Sequence, residues 1–181
     1  MDAAWAFTVA ALLWVYLGIQ KGQVTQDGLT GLNNRRRLDQ YMWELDERNG
    51  ERETCCYLLM DVNKFKKVND TYGHVTGDEV LRLVAEQLKR TFGNMQAFLA
   101  RYGGDEFVVI VKGKTQDEMD VIIHQTQENV NAIAWGADTP WQLSISIGCA
   151  MRGEQGKQKS HELLALADER MYRQKKGIQD R

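Results

Sequence analysis

The chain has 181 residues, which is enough for one domain with a sizeable core and a short appendage. An apolar fraction of 43% and a charged fraction of 27% are typical of a folded, water-soluble domain. The formal net charge of −2 lacks the basic excess of proteins that bind nucleic-acid polymers, so we expect no such partner; small anions can still bind in a local positive pocket.

An apolar leader opens the chain. No charged residue occurs from Ala3 to Ile19, and as a helix this run would be about 25 Å long, a little short of the roughly 30 Å hydrocarbon core of a bilayer. Asp2 stands where a signal peptide has a basic region, so cleavage is not expected. Lys21 after the run favours a cytoplasmic C-terminal side. Two interpretations remain, a membrane segment or a soluble self-associating helix, and we divide the chain into a leader (residues 1–22) and a domain (residues 23–181).

The first half of the domain shows alternating helix and strand patterns. Apolar spacing predicts a helix from about Asn34 to Asn49, and a continuous apolar run predicts a buried strand from Cys55 to Val62. The adjacent Cys55 and Cys56 should point to opposite faces of the sheet as free thiols. The sequence Thr76-Gly77-Asp78-Glu79 has the form of a capping box and predicts a helix that starts there.

A hairpin is predicted in the middle of the chain. Two strand-like runs, Gln96 to Tyr102 and Glu106 to Lys112, are joined by Gly103-Gly104-Asp105. Paired glycines let the backbone adopt positive φ and approach a ligand closely.

The second half contains a helix, a strand and a last helix. Thr115-Gln116-Asp117-Glu118 is a second capping box, Leu143 to Ala150 alternates like a half-buried strand, and Ser160 to Lys176 has helical spacing. A hairpin between helices predicts an α+β domain, with a mainly antiparallel central sheet flanked by helices.

Three acidic residues are predicted at points where strands end. Asp61 ends the first strand, and Asp105 and Glu106 lie at the hairpin turn. If the hairpin pairs beside that strand, the carboxylates converge at one sheet edge, where their repulsion would require cations. Hard oxygen ligands of this kind suit Mg²⁺. For any one of them taken alone, a solvated loop carboxylate is the alternative.

Four stretches carry a family resemblance, in this order: Asp27–Arg36, Asp61–Asp78, Arg101–Phe107 and Ala167–Lys175. The first reads D-G-L-T-G-L-N-N-R-R and the third reads R-Y-G-G-D-E-F. Together they resemble the GGDEF family of diguanylate cyclases, over Asp27 to about Lys176. The resemblance implies a fold like the palm of nucleotidyl cyclases, with the active site at the hairpin tip.

The resemblance also implies an activity. The family condenses two GTP molecules into cyclic di-GMP and releases two pyrophosphates, with two Mg²⁺ or Mn²⁺ ions per active site. By matching position, Asp61, Asp105 and Glu106 are the implied catalytic residues, and the same three with the Val62 carbonyl are the implied metal ligands. Glu106 either completes the second metal site or helps to deprotonate the attacking 3′-hydroxyl.

The implied substrate-binding positions are Phe65, Lys66, Asn69, Asp78, Gly103, Gly104 and Lys175. Asn69 and Asp78 would read the guanine edge, so GTP should be preferred over ATP. The backbone of Phe65 and the side chain of Lys66 would lie around the β- and γ-phosphates. Lys175 would neutralise the terminal phosphate, unless it is only a solvated lysine at a helix end. Asp27 is interpreted as structural.

The product is two-fold symmetric and each domain has one GTP site, so a head-to-head C2 homodimer is expected. Many relatives carry an inhibitory R-x-x-D product site where this chain reads Asn94-Met95-Gln96-Ala97, so product inhibition should be weak. Asn63 replaces a second Asp found in many relatives. After Lys175 a Gly and a basic residue are usual, and whether Lys176 or Gln179 replaces that contact is open.

Three functions remain: an active cyclase, a catalytically inactive module that binds GTP or cyclic di-GMP, and a structural dimerisation domain. The intact Asp61 and the intact hairpin tip favour the first. The resemblance further implies a cytoplasmic catalytic domain, tethered to the bacterial inner membrane if residues 3–19 span it.

Overall fold

A computed structural model of the chain describes residues 25–47, 54–135, 142–153 and 158–179, with Phe7, Val9, Ala10, Leu12 and Leu13. The predicted leader therefore lies almost wholly outside the described residues, and its two interpretations stay open. Within the described parts, no helix is both long enough and apolar enough to cross a membrane.

The described residues of the domain form four helices and four strands. In chain order they are α1 (Arg35–Glu47), β1 (Cys55–Val62), α2 (Phe65–Phe92), β2 (Ala97–Gly103), β3 (Glu106–Lys112), α3 (Gln116–Asn131), β4 (Ile145–Arg152) and α4 (Ser160–Gln179). The strands make one sheet in the order β2-β3-β1-β4, and all three pairings are antiparallel. The α+β prediction is confirmed.

The central strand β1 is buried along its whole length because helices cover both faces of the sheet. Cys56 faces the core that α2 and α3 cover, and Cys55 faces the core that α1 and α4 cover, as predicted. All three cysteines are buried and free. The Cys56 and Cys149 sulfur atoms are 2.9 Å apart, and this hydrogen bond, together with burial, raises the pKa of the Cys56 thiol.

The predicted helix start at Thr76 is wrong. Helix α2 already begins at Phe65, and the chain bends at Gly73, whose φ of 83° and ψ of 163° suit glycine. The Thr76 hydroxyl donates to the Tyr72 carbonyl at 3.0 Å, across that bend, so it does not cap a helix. The capping box at Thr115, by contrast, is confirmed, since both of its reciprocal hydrogen bonds are present.

Helix α4 packs very closely on β4, and this contact positions one side of the site. A Cβ atom on Gly148 would lie 1.8 Å from the Ala167 carbonyl oxygen and 2.4 Å from the Met171 nitrogen. Three residues beyond Met171, the Gln174 side chain accepts a hydrogen bond of 2.6 Å from the Ile147 N–H. The C-terminal half of α4 is thereby fixed beside the end of β1.

Candidate active site

The last turns of α4 bring a lysine to the end of β1. The Lys175 ammonium donates to both carboxylate oxygens of Asp61, at 2.6 and 2.7 Å. The Asp61 side chain is 8% exposed and the Lys175 side chain is 27% exposed. Lys175 is therefore the ion-pair partner of a buried carboxylate, and the alternative of a solvated helix-end lysine is wrong.

The hairpin tip lies directly beside Asp61. In the β1–β3 register Asp61 is opposite Glu106, and the Val62 N–H donates to the Asp105 carbonyl at 3.2 Å. The three predicted carboxylates thus come from adjacent backbone positions at one sheet edge, as expected from the sequence.

The electrostatics of this edge are strongly acidic. Burial, and then the charge of Asp61, raise the pKa of Asp105. Burial, with the charges of Asp61, Asp105 and Asp168, likewise raises the pKa of Glu106. Asp168 on α4 is a contributor that sequence reasoning did not single out. The edge carries more negative charge than Lys175 neutralises, which makes it attractive to cations.

Arg101 bridges the hairpin tip and the first motif. Its Nε and Nη2 atoms donate to the Gly104 carbonyl at 3.0 and 2.8 Å, and Nη1 donates to Asp27 at 3.2 Å. Asp27 also accepts from the Thr30 N–H and hydroxyl at 2.9 and 2.7 Å. Burial favours the neutral carboxyl, but the bonds from Thr30 and Arg101 outweigh it and lower the pKa of Asp27.

This bridge supports the structural interpretation of Asp27 and adds a role for Arg101 that sequence reasoning missed. Gly104 has a φ of 48°, so a glycine is needed where the tip turns. Gly103 ends β2 at a register shift of the hairpin. The sequence feature that could have revealed this contact is a pair of opposite charges in two motif stretches, Asp27 in the first and Arg101 in the third.

The start of α2 supplies a second group of predicted residues. Lys64 precedes the helix in the left-handed conformation, with φ 59°, and Phe65 and Lys66 form its first turn. First-turn N–H groups have no acceptor within their own helix and favour anions. Lys66 and Asp78 are exposed, while Phe65 packs partly against the core.

Asn69 is the unusual member of this group. Its Oδ1 atom is buried and has no hydrogen-bond partner in the structure. Gly77 makes room for the amide, since a Cβ there would lie 1.9 Å from Asn69 Oδ1. A buried acceptor without a partner is costly, so Asn69 Oδ1 is available to accept a hydrogen bond. Sequence reasoning missed Gly77, because its motif had been interpreted as a helix cap.

The sequence matches the family model described as "Diguanylate cyclase, GGDEF domain" over residues 24–181. The chain belongs to the GGDEF family. It is 34% identical over 161 residues to diguanylate cyclase DosC of Escherichia coli K12, a match that covers 85% of this chain and 34% of DosC. Probable diguanylate cyclase DgcI of the same organism is 38% identical over 156 residues, with coverages of 83% and 31%.

Solved GGDEF domains share the fold. The GGDEF domain of DgcB from Caulobacter crescentus, crystallised in complex with c-di-GMP, aligns with a TM-score of 0.78 and 30% identity, covering 86% of this chain and 92% of that chain. The chain spans about a third of the length of DosC and DgcI. The GGDEF assignment confirms the resemblance and the fold, and the roles of individual residues stay predictions.

GGDEF diguanylate cyclases generally use divalent metal ions. The donor chemistry here fits such an ion, because carboxylate oxygens dominate the edge. Burial, together with the charge of the neighbouring carboxylates, raises the pKa values of Asp105 and Glu106. No group of three His, Cys, Asp or Glu side chains within the described residues is arranged to hold a metal. The carboxylates therefore lie at the same edge of the sheet but do not form a preorganised metal-coordination site.

Proposed function

We propose that this chain is an active diguanylate cyclase domain, which condenses two GTP molecules into cyclic di-GMP and two pyrophosphates. The observation that carries the proposal is the β1–β3 register, because it sets Asp61 opposite Glu106 and bonds Val62 to Asp105. An inactive binding module would have no need for three carboxylates at one edge.

The acidic residues have the roles expected for phosphoryl transfer. Asp61, Asp105, Glu106 and the Val62 carbonyl would hold two Mg²⁺ or Mn²⁺ ions. When bound, such ions lower the pKa of the attacking 3′-hydroxyl and neutralise charge on the triphosphate. Glu106 has a raised pKa, which suits it to accept a proton at a higher pH than an ordinary carboxylate. Glu106 either completes the second metal site or helps to deprotonate the attacking hydroxyl.

The start of α2 is proposed as the nucleotide-binding region. Guanine has a ring N–H and an amino group, and the unpartnered Asn69 Oδ1 and the Asp78 carboxylate are acceptors for such donors. Adenine lacks this donor pair. The N–H groups of the first turn of α2, with Lys66, suit the β- and γ-phosphates. Lys175 is proposed to reach the terminal phosphate, with Lys176 or Gln179 as a further contact.

Each domain offers one such site, and the two attacks are equivalent. We therefore propose a head-to-head C2 homodimer as the catalytic unit. GTP as substrate places the domain in the cytoplasm, with residues 3–19 either as an inner-membrane tether or as a helix that brings two domains together. In both cases the leader would raise the effective concentration of the second domain.

The test is incubation of the purified chain with GTP and Mg²⁺ or Mn²⁺, over a range of protein concentrations, with chromatographic separation of the nucleotides. We expect cyclic di-GMP, at a rate per chain that rises with protein concentration. Asp105→Ala should abolish product, whereas Asp39→Ala, which removes an exposed carboxylate on α1, should not. GTP binding without product, in a confirmed dimer, would establish the inactive module instead.

A further inference from the structure

The ion pair between Lys175 and Asp61 has a consequence for metal binding. The ammonium lies 2.6 and 2.7 Å from the two carboxylate oxygens, so both oxygens are already engaged by a cation. Asp61 is also the most deeply buried of the three site carboxylates. A buried carboxylate without a counter-charge is strongly unfavourable. Lys175 therefore supplies the charge compensation for Asp61.

Side-chain hydrogen bonds hold α4 against β4. Gln174 accepts from the Ile147 N–H at 2.6 Å, and Arg170 donates to the Cys149 carbonyl at 2.5 Å. The close approach at Gly148 prevents the helix from sliding over β4. A change of partner by Lys175 therefore requires rotation of its four side-chain bonds only.

A divalent ion at Asp61 must compete with this ammonium. When the ion binds alone, the displaced ammonium gives up both Asp61 oxygens and stays beside a cation of twice its charge, although the carboxylates of Asp105 and Glu106 still attract it. When a triphosphate is present as well, the same ammonium gains a new anionic partner within reach of its side chain. Entry of the metal and entry of the nucleotide should then favour each other.

We propose that Lys175 is the resident counter-cation of Asp61, which gives way to the divalent ion and then binds the triphosphate. The second half of this exchange rests on the proposed function. The first half concerns only Asp61, Lys175 and the metal.

The decisive experiment measures Mn²⁺ binding by isothermal titration calorimetry in the absence of nucleotide. Lys175→Met should bind Mn²⁺ about tenfold more tightly than the wild type, within the roughly 5- to 150-fold range of such couplings. Lys159→Met is the matched control, since Lys159 is exposed and lies just before α4, at the opposite end of that helix from Lys175. It should leave Mn²⁺ affinity unchanged. Adding Asp61→Asn to Lys175→Met should remove the tighter binding.

A second measurement uses the unaltered chain. Amine acetylation, quantified by mass spectrometry for each lysine, should become faster at Lys175 when Mn²⁺ is added, because the ammonium leaves its carboxylate. Lys159 serves as the internal reference and should not change. If Lys175→Met does not fold, this measurement alone tests whether Lys175 leaves Asp61 when Mn²⁺ binds.

An unchanged or weaker Mn²⁺ affinity in folded Lys175→Met, or an unchanged acetylation rate at Lys175, would overturn the exchange. These results are independent of turnover. If the wild type makes cyclic di-GMP but shows no exchange, only this inference fails. If the exchange is seen without product, only the cyclase proposal fails.

Discussion

Gly77→Ala tests how the Asn69 amide is positioned. Gly77 is buried in α2, and an added Cβ would lie 1.9 Å from Asn69 Oδ1, 3.0 Å from Asn69 Cγ and 3.2 Å from the Phe65 ring. Carbon and oxygen cannot approach to 1.9 Å without bonding. The Asn69 amide must therefore swing away, while the helical backbone at position 77 tolerates alanine.

The size of the effect follows from the hydrogen bond that is lost. A group left without its partner in a buried site costs about 1–3 kcal/mol, which corresponds to about 5- to 150-fold in binding. Alanine in place of a helical glycine contributes about 1 kcal/mol in the opposite direction to stability. We therefore expect the KM for GTP to rise about 5- to 150-fold in a variant that still folds.

The assay is pyrophosphate release over a range of GTP concentrations, with thermal melting measured on the same samples. Gly153→Ala is the matched control, because a methyl group at that position meets no atom within 4 Å. A Gly77→Ala protein with the KM of the wild type would refute the assignment of Asn69 to the nucleotide. A protein that no longer folds would refute the idea that only the amide must move.

Three further predictions concern stability and regulation. Gly148→Ala should lower the melting temperature by about 2–12 °C, the equivalent of about 1–3 kcal/mol, because its methyl group would collide with the Ala167 carbonyl; an unchanged melting temperature would contradict this. Asp46→Asn should cost about 1.5–3 kcal/mol at pH 7, measured by urea unfolding, because Asp46 is the carboxylate partner of the buried Arg152. Added cyclic di-GMP should inhibit only weakly, since Asn94–Ala97 lacks the charges of R-x-x-D; submicromolar inhibition would show otherwise.

The Asp46 effect should also depend on pH. Burial raises the pKa of Asp46, but hydrogen bonds from Ser160 and the charge of Arg152 outweigh it, so the folded pKa lies below its usual value. The stabilisation from a lowered pKa is complete above the unfolded value of about 3.9 and is lost as the pH falls through the folded value. The gap between the wild type and Asp46→Asn should therefore narrow only below about pH 4. An equal gap at every pH would exclude the ion pair as its cause.

The sequence by itself determined most of the framework. The apolar run Cys55–Val62 is the central strand with the predicted ends, and the hairpin around Gly103-Gly104-Asp105 forms as expected. The capping box at Thr115 also forms as predicted. These features depend on neighbours within a few residues, which is why periodicity and turn residues were sufficient to find them.

The local sequence pattern gave a wrong helix start where the course of the preceding chain decided the structure. The motif at Thr76 satisfies the capping pattern, but α2 already starts at Phe65 and bends at Gly73. Gly77, the glycine of that motif, leaves room for the Asn69 amide and does not belong to a helix cap. A capping pattern specifies which hydrogen bonds could form. It does not specify where the preceding chain comes from.

Only the tertiary structure paired the charged residues of the site. Lys175 lies 114 positions from Asp61, and Arg101 lies 74 positions from Asp27, yet both pairs are in direct contact. No spacing rule relates residues so far apart, because their approach depends on how α4 packs on β4 and how the hairpin pairs with β1. The residue types at the site could be read from the sequence. The packing decided that Asp61 pairs with Lys175 and that Asp27 pairs with Arg101.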